Sequence, residues 1–199
     1  MALRDPDRTR QNLLEVAACL FHQKGYNGTS LSDILNKAEV SKGALYHHFS
    51  NKQELLYAVV DELFKNKLLE RWGGVVSAEE PIEAIASIID SLSLNATDDE
   101  MCSGCPVHNL LAELSSTDEG LRTRISAIFK EHQQIIQAGV ELAIERGQAK
   151  PETDAKRVAL FFMCSLNGMP QMVTSCQCRE LFTELTAALA DYIRSFKLP

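Results

Sequence analysis

The stretch Thr29–Leu56, TSLSDILNKAEVSKGALYHHFSNKQELL, constrains this chain more than any other part of its 199 residues. Ser30, with Asp33 three residues on, has the spacing of a helix start, and Leu31, Ile34 and Leu35 then form one apolar face. Glu39-Val40 reads as a turn. Ser41 is a natural N-cap for a second short helix, which carries Lys42, Gly43, Ala44, Tyr46 and His47 outward. Asn51, with Glu54 three residues later, opens a third helix. Two short helices joined by a tight turn, the second presenting small, basic and aromatic side chains, form a helix-turn-helix.

The rest of the chain is also helical in period, with little strand alternation. Asp5-Pro6 opens a first helix, whose Leu13, Leu14, Ala17, Leu20 and Phe21 recur at helical spacing up to a stop at Gly25. A long helix runs from about Lys52 to Gly73-Gly74. Further helices are expected from Pro81, from about Cys105 to Leu114, from Leu121 to Arg146, from Thr153, and from Gln177 or Cys178. NATDDE and SSTDEG read as polar breaks between them. The expected fold is all-α: a three-helix N-terminal head and a larger C-terminal helical bundle, about nine helices in all. The expected division is a helix-turn-helix head over 1–52 and a larger helical body over 53–199.

SKGALYHHFSNKQELL resembles the recognition segment of the TetR family of one-component transcriptional repressors. LLEVAACLFHQKGYNGTSLSDIL upstream is similar to that family's first helix, Gly-Tyr stop and Thr restart. The resemblance runs from about Thr9 to Leu63, and Glu39 departs from the glycine common in the turn. It implies a two-fold homodimer, built from the last two helices of each subunit, that binds a near-palindromic operator and is released by an inducer.

Several residues are candidates for touching double-stranded DNA. Lys42 sits in the first turn of the second helix, where it can reach guanine or phosphate, and Gly43 and Ala44 let the backbone come close to the groove. Tyr46 and His47 match family positions that contact the backbone and bases. Thr29 or Ser30, Ser41 and Lys52 lie at helix N-termini, where unpaired N–H groups attract phosphate. Caps and packing explain several of the same residues without DNA.

MCSGCPVHNLLAELSS is the most unusual part of the body. It resembles a TetR-family subgroup with a Gly-Cys-Pro or Gly-Cys-Leu segment followed by an Asn/Leu/Ala/Glu run, in which some members sense electrophiles or oxidants through cysteine and others bind neutral or aromatic ligands. Cys105 precedes Pro106 at a helix start, where the dipole favours a thiolate, and His108 lies one turn on. The competing reading of Cys105 is a small packed side chain. Cys102, Cys105 and His108 are the sensor candidates. Trp72, Met101, His108, Leu111, Phe129, Phe162, Met163, Asn167 and Met172 are candidates for a pocket wall, with Asn167 the best polar one. Zinc would suit Cys102, Cys105, His108, Cys176 and Cys178 by donor type, but their spacing matches no closed four-ligand pattern.

Charge divides the chain. Residues 1–72 hold ten Lys/Arg and nine Asp/Glu, which leaves ten and eighteen for residues 73–199 and a net charge of −7. That balance argues against a general nucleic-acid binder and suits DNA contact through one end. No stretch approaches the ~18 apolar residues a membrane helix needs, and the N-terminus has no apolar signal core, so a cytoplasmic protein with reduced cysteines is expected. No nucleophile–base pair, phosphate loop or paired acidic motif points to an enzyme, and no cofactor is implied. The alternatives to an inducible repressor are a cysteine- or metal-dependent redox sensor and a helical interaction module that does not bind DNA.

Overall fold

The computed structural model describes residues 6–198, without the side chains of Asp99, Glu100 and Cys102. The helices are α1 (Pro6–Lys24), α2 (Leu31–Ala38), α3 (Lys42–His48), α4 (Lys52–Ala58), α5 (Lys65–Trp72), α6 (Pro81–Asn95), α7 (Asp98–Ser103), α8 (Pro106–Leu114), α9 (Glu119–Glu145), α10 (Ala155–Cys176) and α11 (Arg179–Arg194). A π-helical segment, Val59–Phe64, joins α4 to α5, and a 3₁₀ turn, Gly73–Ser77, follows α5. With the α4–α5 run counted as one rod and the six-residue α7 set aside, the described residues form nine helices. An isolated bridge between Ala149 and Lys197 is the one β feature among them.

Two compact units divide the chain: Met1–Lys67 with Cys105–Ser126, and Leu68–Gly104 with Ala127–Pro199. In the first, α1 runs until Gly25 (φ 74), and Asp5, its expected cap, lies outside the described residues. The three short helices start where the cap residues stand. Ser30 makes a capping box with Asp33, the Ser41 hydroxyl accepts from the Ala44 N–H at 3.2 Å, and Asn51 Oδ1 accepts from the Glu54 N–H at 2.8 Å. Such caps are worth about 1 kcal/mol each. Full burial of one large apolar side chain is worth roughly 1.5–3 kcal/mol, so Leu13, Leu14, Phe21, Ile34, Leu45, Leu55 and Leu56, all fully buried, carry more of the stability. Glu39 ends α2 in the left-handed region (φ 55), the conformation that makes glycine common at such a stop.

The second unit is built around one apolar cluster that includes Trp72, Ile85, Ile89, Ile136, Val140, Phe162 and Ile193. α6 and α11 are tied at their edges. Arg194 donates to Glu83 (2.8 Å) and Asp90 (2.7 Å), and the buried Thr186 hydroxyl donates to Ser93 Oγ (2.9 Å). Asp154, one residue past the expected start at Thr153, caps α10 by accepting from the Arg157 N–H. Cys178 caps α11. Three features depart from the sequence reading. α7 starts inside the break NATDDE and runs past it to Ser103, the long helix after Lys52 has the π segment in its middle, and its end tightens into a 3₁₀ turn at Gly73.

Candidate functional site

α3 presents an open face. Its N-cap Ser41 and the side chains of Lys42, Tyr46 and His47 are exposed, Ala44 is half-buried, and Leu45 and Phe49 anchor the opposite face in the core. Lys42 Nζ lies 5.8 Å from the centre of the Tyr46 ring. Gly43 is exposed, and a Cβ there would meet only the Ser41 hydroxyl, at 4.0 Å. Nothing inside the protein requires a glycine at that position, although glycine in a helix costs about 1 kcal/mol relative to alanine. The space it leaves lies outside the protein, on the side where Lys42 and His47 are exposed.

Two of the expected DNA contacts sit elsewhere. Thr29 is fully buried, and its hydroxyl donates to the Gly25 carbonyl (2.7 Å) and the Leu20 carbonyl (3.2 Å). It locks the turn after α1, while the neighbouring Ser30 takes the cap. Lys52 does stand at the start of α4, but its ammonium turns inward. It donates to the carbonyls of Tyr26 and Thr29, both at 2.9 Å, and lies 4.0 Å from the Tyr26 ring centre. Burial lowers its pKa below the ordinary lysine value. Thr29 and Lys52 therefore build the head from within. Ser30, Ser41, Lys42, Gly43, Tyr46 and His47 remain on the surface.

A second set of contacts in this unit was not legible in the sequence. Glu113 of α8 accepts from the backbone N–H of Tyr26 (2.8 Å) and of Asn27 (2.7 Å), so one carboxylate holds the α1–α2 turn. Asp118 caps α9 through the Leu121 N–H and also accepts from the Tyr57 hydroxyl (2.6 Å) and Gln53 (2.9 Å). Burial pushes the Asp118 carboxyl up, and these hydrogen bonds outweigh it, leaving the pKa below the usual value. Arg124 lies 4.0 Å from the Tyr57 ring centre and pairs with Asp61 at 2.9 Å. A side chain at Gly120 would collide with the Tyr57 hydroxyl. Arg10 forks onto Glu62 of the π segment at 2.5 and 2.7 Å. The only sequence signals for this network were an acidic residue in the SSTDEG break and a glutamate in MCSGCPVHNLLAELSS.

The sensor candidates fall into both units. Cys105 is half-buried at the N-cap of α8, with Pro106 in the first turn, as the sequence suggested. His108, one turn on, is half-buried, and burial lowers its pKa. The side chain of Cys102 lies outside the described residues. Phe162 and Met163 are core residues of the second unit. Asn167, the expected polar group of a pocket, instead donates to the Met163 carbonyl at 2.6 Å, one turn back along its own helix. Among the described residues no group of three His, Cys, Asp or Glu side chains could hold a metal ion.

His132 of α9 escaped the sequence reading because a lone histidine among Ile128, Phe129, Ile135 and Ile136 looks like ordinary core. It is 4% exposed. Its ring centre lies 4.8 Å from Trp72 and 5.7 Å from Phe162, and those two rings stand 5.3 Å apart at 79°. Burial, with the charge of Arg71 added, lowers its pKa to about 4, so the imidazole is neutral near pH 7. Its Nε2 has no hydrogen-bond partner. A buried polar atom in that condition costs about 1–3 kcal/mol.

Comparison with known proteins settles the family. Residues 13–59 match the bacterial regulatory proteins of the tetR family, and residues 81–189, more than half of the chain, match the tetracyclin repressor-like C-terminal domain. The chain belongs to the TetR family. It is a transcriptional regulator of the helix-turn-helix type. It is 33% identical over 129 residues to an uncharacterised HTH-type regulator in the lacX 3′ region of Lactococcus lactis, a match that covers 64% of this chain and 66% of that one. A TetR transcriptional regulator from Chloroflexus aurantiacus superposes with a TM-score of 0.84 at 29% identity, over 99% of this chain and 100% of its own. CifR, a TetR-family regulator solved as a cysteine mutant with 26-base-pair double-strand operator DNA, shares the fold. Its TM-score is 0.78 at 22% identity, over 94% of this chain and 95% of its own. Among the described residues no helix is long and apolar enough to cross a membrane.

Proposed function

We propose that this regulator is a cytoplasmic repressor that binds a near-palindromic operator as a homodimer and leaves it when a small-molecule or thiol-reactive inducer binds. Residues 1–52 read the DNA, and residues 53–199 dimerise and sense. The observation that carries this reading is the α3 face, where exposed Ser41, Lys42, Tyr46 and His47 surround a glycine with no internal purpose. Lys42 and the N-terminal turn of α3 would enter the major groove, Ala44 would meet base edges, and the N-caps Ser30 and Ser41 would meet phosphates.

One seven-residue helix offers few contacts, so two heads on two half-sites are needed. α10 supports that assembly. Leu160, Phe161 and Met172 are 45%, 54% and 52% exposed, Gly168 lies on the same helix, and a Cβ at Gly168 would meet nothing. A helix with an exposed apolar stripe and an open glycine suits close packing against a second copy. Elsewhere on the last two helices, Ser165, Leu181 and Leu185 are half-buried and Leu189 is buried in its own subunit.

Cys105 supports a thiol-reactive inducer. It stands at a helix N-terminus, the position that favours a thiolate, with His108 one turn away. CifR, with the same fold, was solved on DNA as a cysteine mutant. The test of the whole reading is to select duplexes from a random pool with the full-length protein and sediment the complex. A near-palindromic site carrying two subunits is expected. Failure to enrich any duplex would favour a helical interaction module instead.

A further inference from the structure

We infer that the inducer site of the second unit is the Trp72–His132–Phe162 box, and that it takes a small uncharged phenol whose ring joins the aromatic cluster and whose hydroxyl satisfies His132 Nε2. This rests on the reading of the chain as a ligand-released regulator and adds the ligand's chemistry to it.

The argument starts from the nitrogen. Buried polar atoms in native proteins are almost always paired. His132 Nε2 is not, although the residue is 96% buried by the complement of its 4% exposure. Two buried rings stand against the imidazole: Trp72 is 3% exposed and Phe162 is fully buried. The box therefore offers one unsatisfied polar atom and otherwise aromatic surface, the pattern of a site that fixes a flat apolar ligand by a single hydrogen bond. Edge-to-face contacts like that between Trp72 and Phe162 extend readily to another ring.

Charge narrows the class. The charge that acts on the imidazole is that of Arg71, which is positive, so a buried cation would find no carboxylate there to pair with. Arg71 itself is exposed at the surface, so a carboxylate in the box would be buried without a cation beside it. A neutral imidazole has one bare nitrogen and one N–H. A hydroxyl fits whichever of these Nε2 is, because it can donate to the first and accept from the second. A carbonyl or an ether fits only one. Burial keeps the imidazole neutral near pH 7, which preserves that match.

The rings touch one another, so the ligand must displace side chains to enter. Leu68 and Phe129 lie partly exposed on the margin of the cluster, and Met163 lies within it. A flexible thioether can repack around an added ring at low cost.

Trp72 is the chain's single tryptophan, so its fluorescence reports on the box directly. The test titrates the full-length protein with p-cresol, 4-methylanisole and p-xylene. These have similar rings and carry a hydroxyl, a methyl ether and no polar group. Wild type should bind p-cresol about tenfold more tightly than p-xylene, the scale of one buried hydrogen bond; 4-methylanisole should match p-cresol where Nε2 carries the N–H and p-xylene where it is the bare nitrogen. His132→Phe keeps the aromatic volume and should abolish that preference. His132→Leu, checked by circular dichroism for folding, should do the same. Equal affinity for the three compounds in wild type would overturn the proposal. So would a preference that survives in both variants, or no saturable change in Trp72 emission up to about 1 mM p-cresol, in which case the nitrogen holds only water. Binding of p-cresol without loss of operator DNA would leave the site standing and overturn the inducer reading instead.

Discussion

Acidification should weaken the fold through His132, by an amount the structure sets. In the unfolded chain an exposed imidazole takes up a proton near its ordinary value of 6.5, whereas in the fold burial and Arg71 lower that pKa to about 4. The folded pKa is depressed, so the neutral form is the one the fold accepts. Between those two values the unfolded state binds a proton that the folded state does not, and stability falls as pH falls. Each pH unit in that window costs about 1.4 kcal/mol. From pH 7 to pH 5 the loss is therefore about 2 kcal/mol, allowing for partial titration at each end. For a chain of this size that corresponds to roughly 4–8 °C in melting temperature. The assay is a melt followed by circular dichroism at pH 7, 6 and 5, run in parallel on wild type and His132→Phe. His108 and the carboxylates titrate in both proteins, so the difference between the two slopes isolates His132. The variant should lose less stability than wild type by about 2 kcal/mol over the range. Parallel slopes would refute the claim that this imidazole is held neutral by its surroundings.

Three further outcomes follow from named contacts. Thr29→Val should lower stability by about 1 kcal/mol in urea unfolding, because the lost hydroxyl served two carbonyls. It should leave operator affinity unchanged in the folded protein, and a selective loss of DNA binding would restore Thr29 as a contact. Phe161→Glu should shift the sedimentation of the free protein from a dimer toward a monomer near 22.1 kDa, and a dimer of undiminished strength would remove α10 from the interface. Alkylation with N-ethylmaleimide should release operator DNA from wild type and not from Cys105→Ser. Equal release from both would end the thiol reading and leave the non-covalent site.

The head was legible because its signals are local. Ser30 with Asp33, Ser41, and Asn51 with Glu54 are cap residues at fixed offsets, and each starts a helix where the sequence placed it. The sequence is least specific where a local signal has two uses. Thr29 and Lys52 stand at helix starts, as phosphate contacts do, but the inward direction of each depends on carbonyls of residues 20–29 brought near by folding. Glu113 and Asp118 act on partners more than sixty residues away in sequence, and no single-chain pattern marks them. The π segment at Val59–Phe64 keeps the apolar residues of an α-helix, so periodicity alone gives no sign of it. His132 was hidden for the opposite reason, since one polar residue in an apolar stripe reads as core until its unpartnered nitrogen is seen.

The central claim is that the exposed face of α3 reads DNA, and Lys42 tests it most directly. Lys42→Ala removes an exposed cation without touching the core. The measurement is fluorescence anisotropy of the selected operator duplex with wild type and variant across a series of salt concentrations. The account predicts weaker binding by the variant, with the slope of log affinity against log salt shallower by about one for each lysine lost at a phosphate. A folded, dimeric Lys42→Ala protein with wild-type affinity and slope would contradict it.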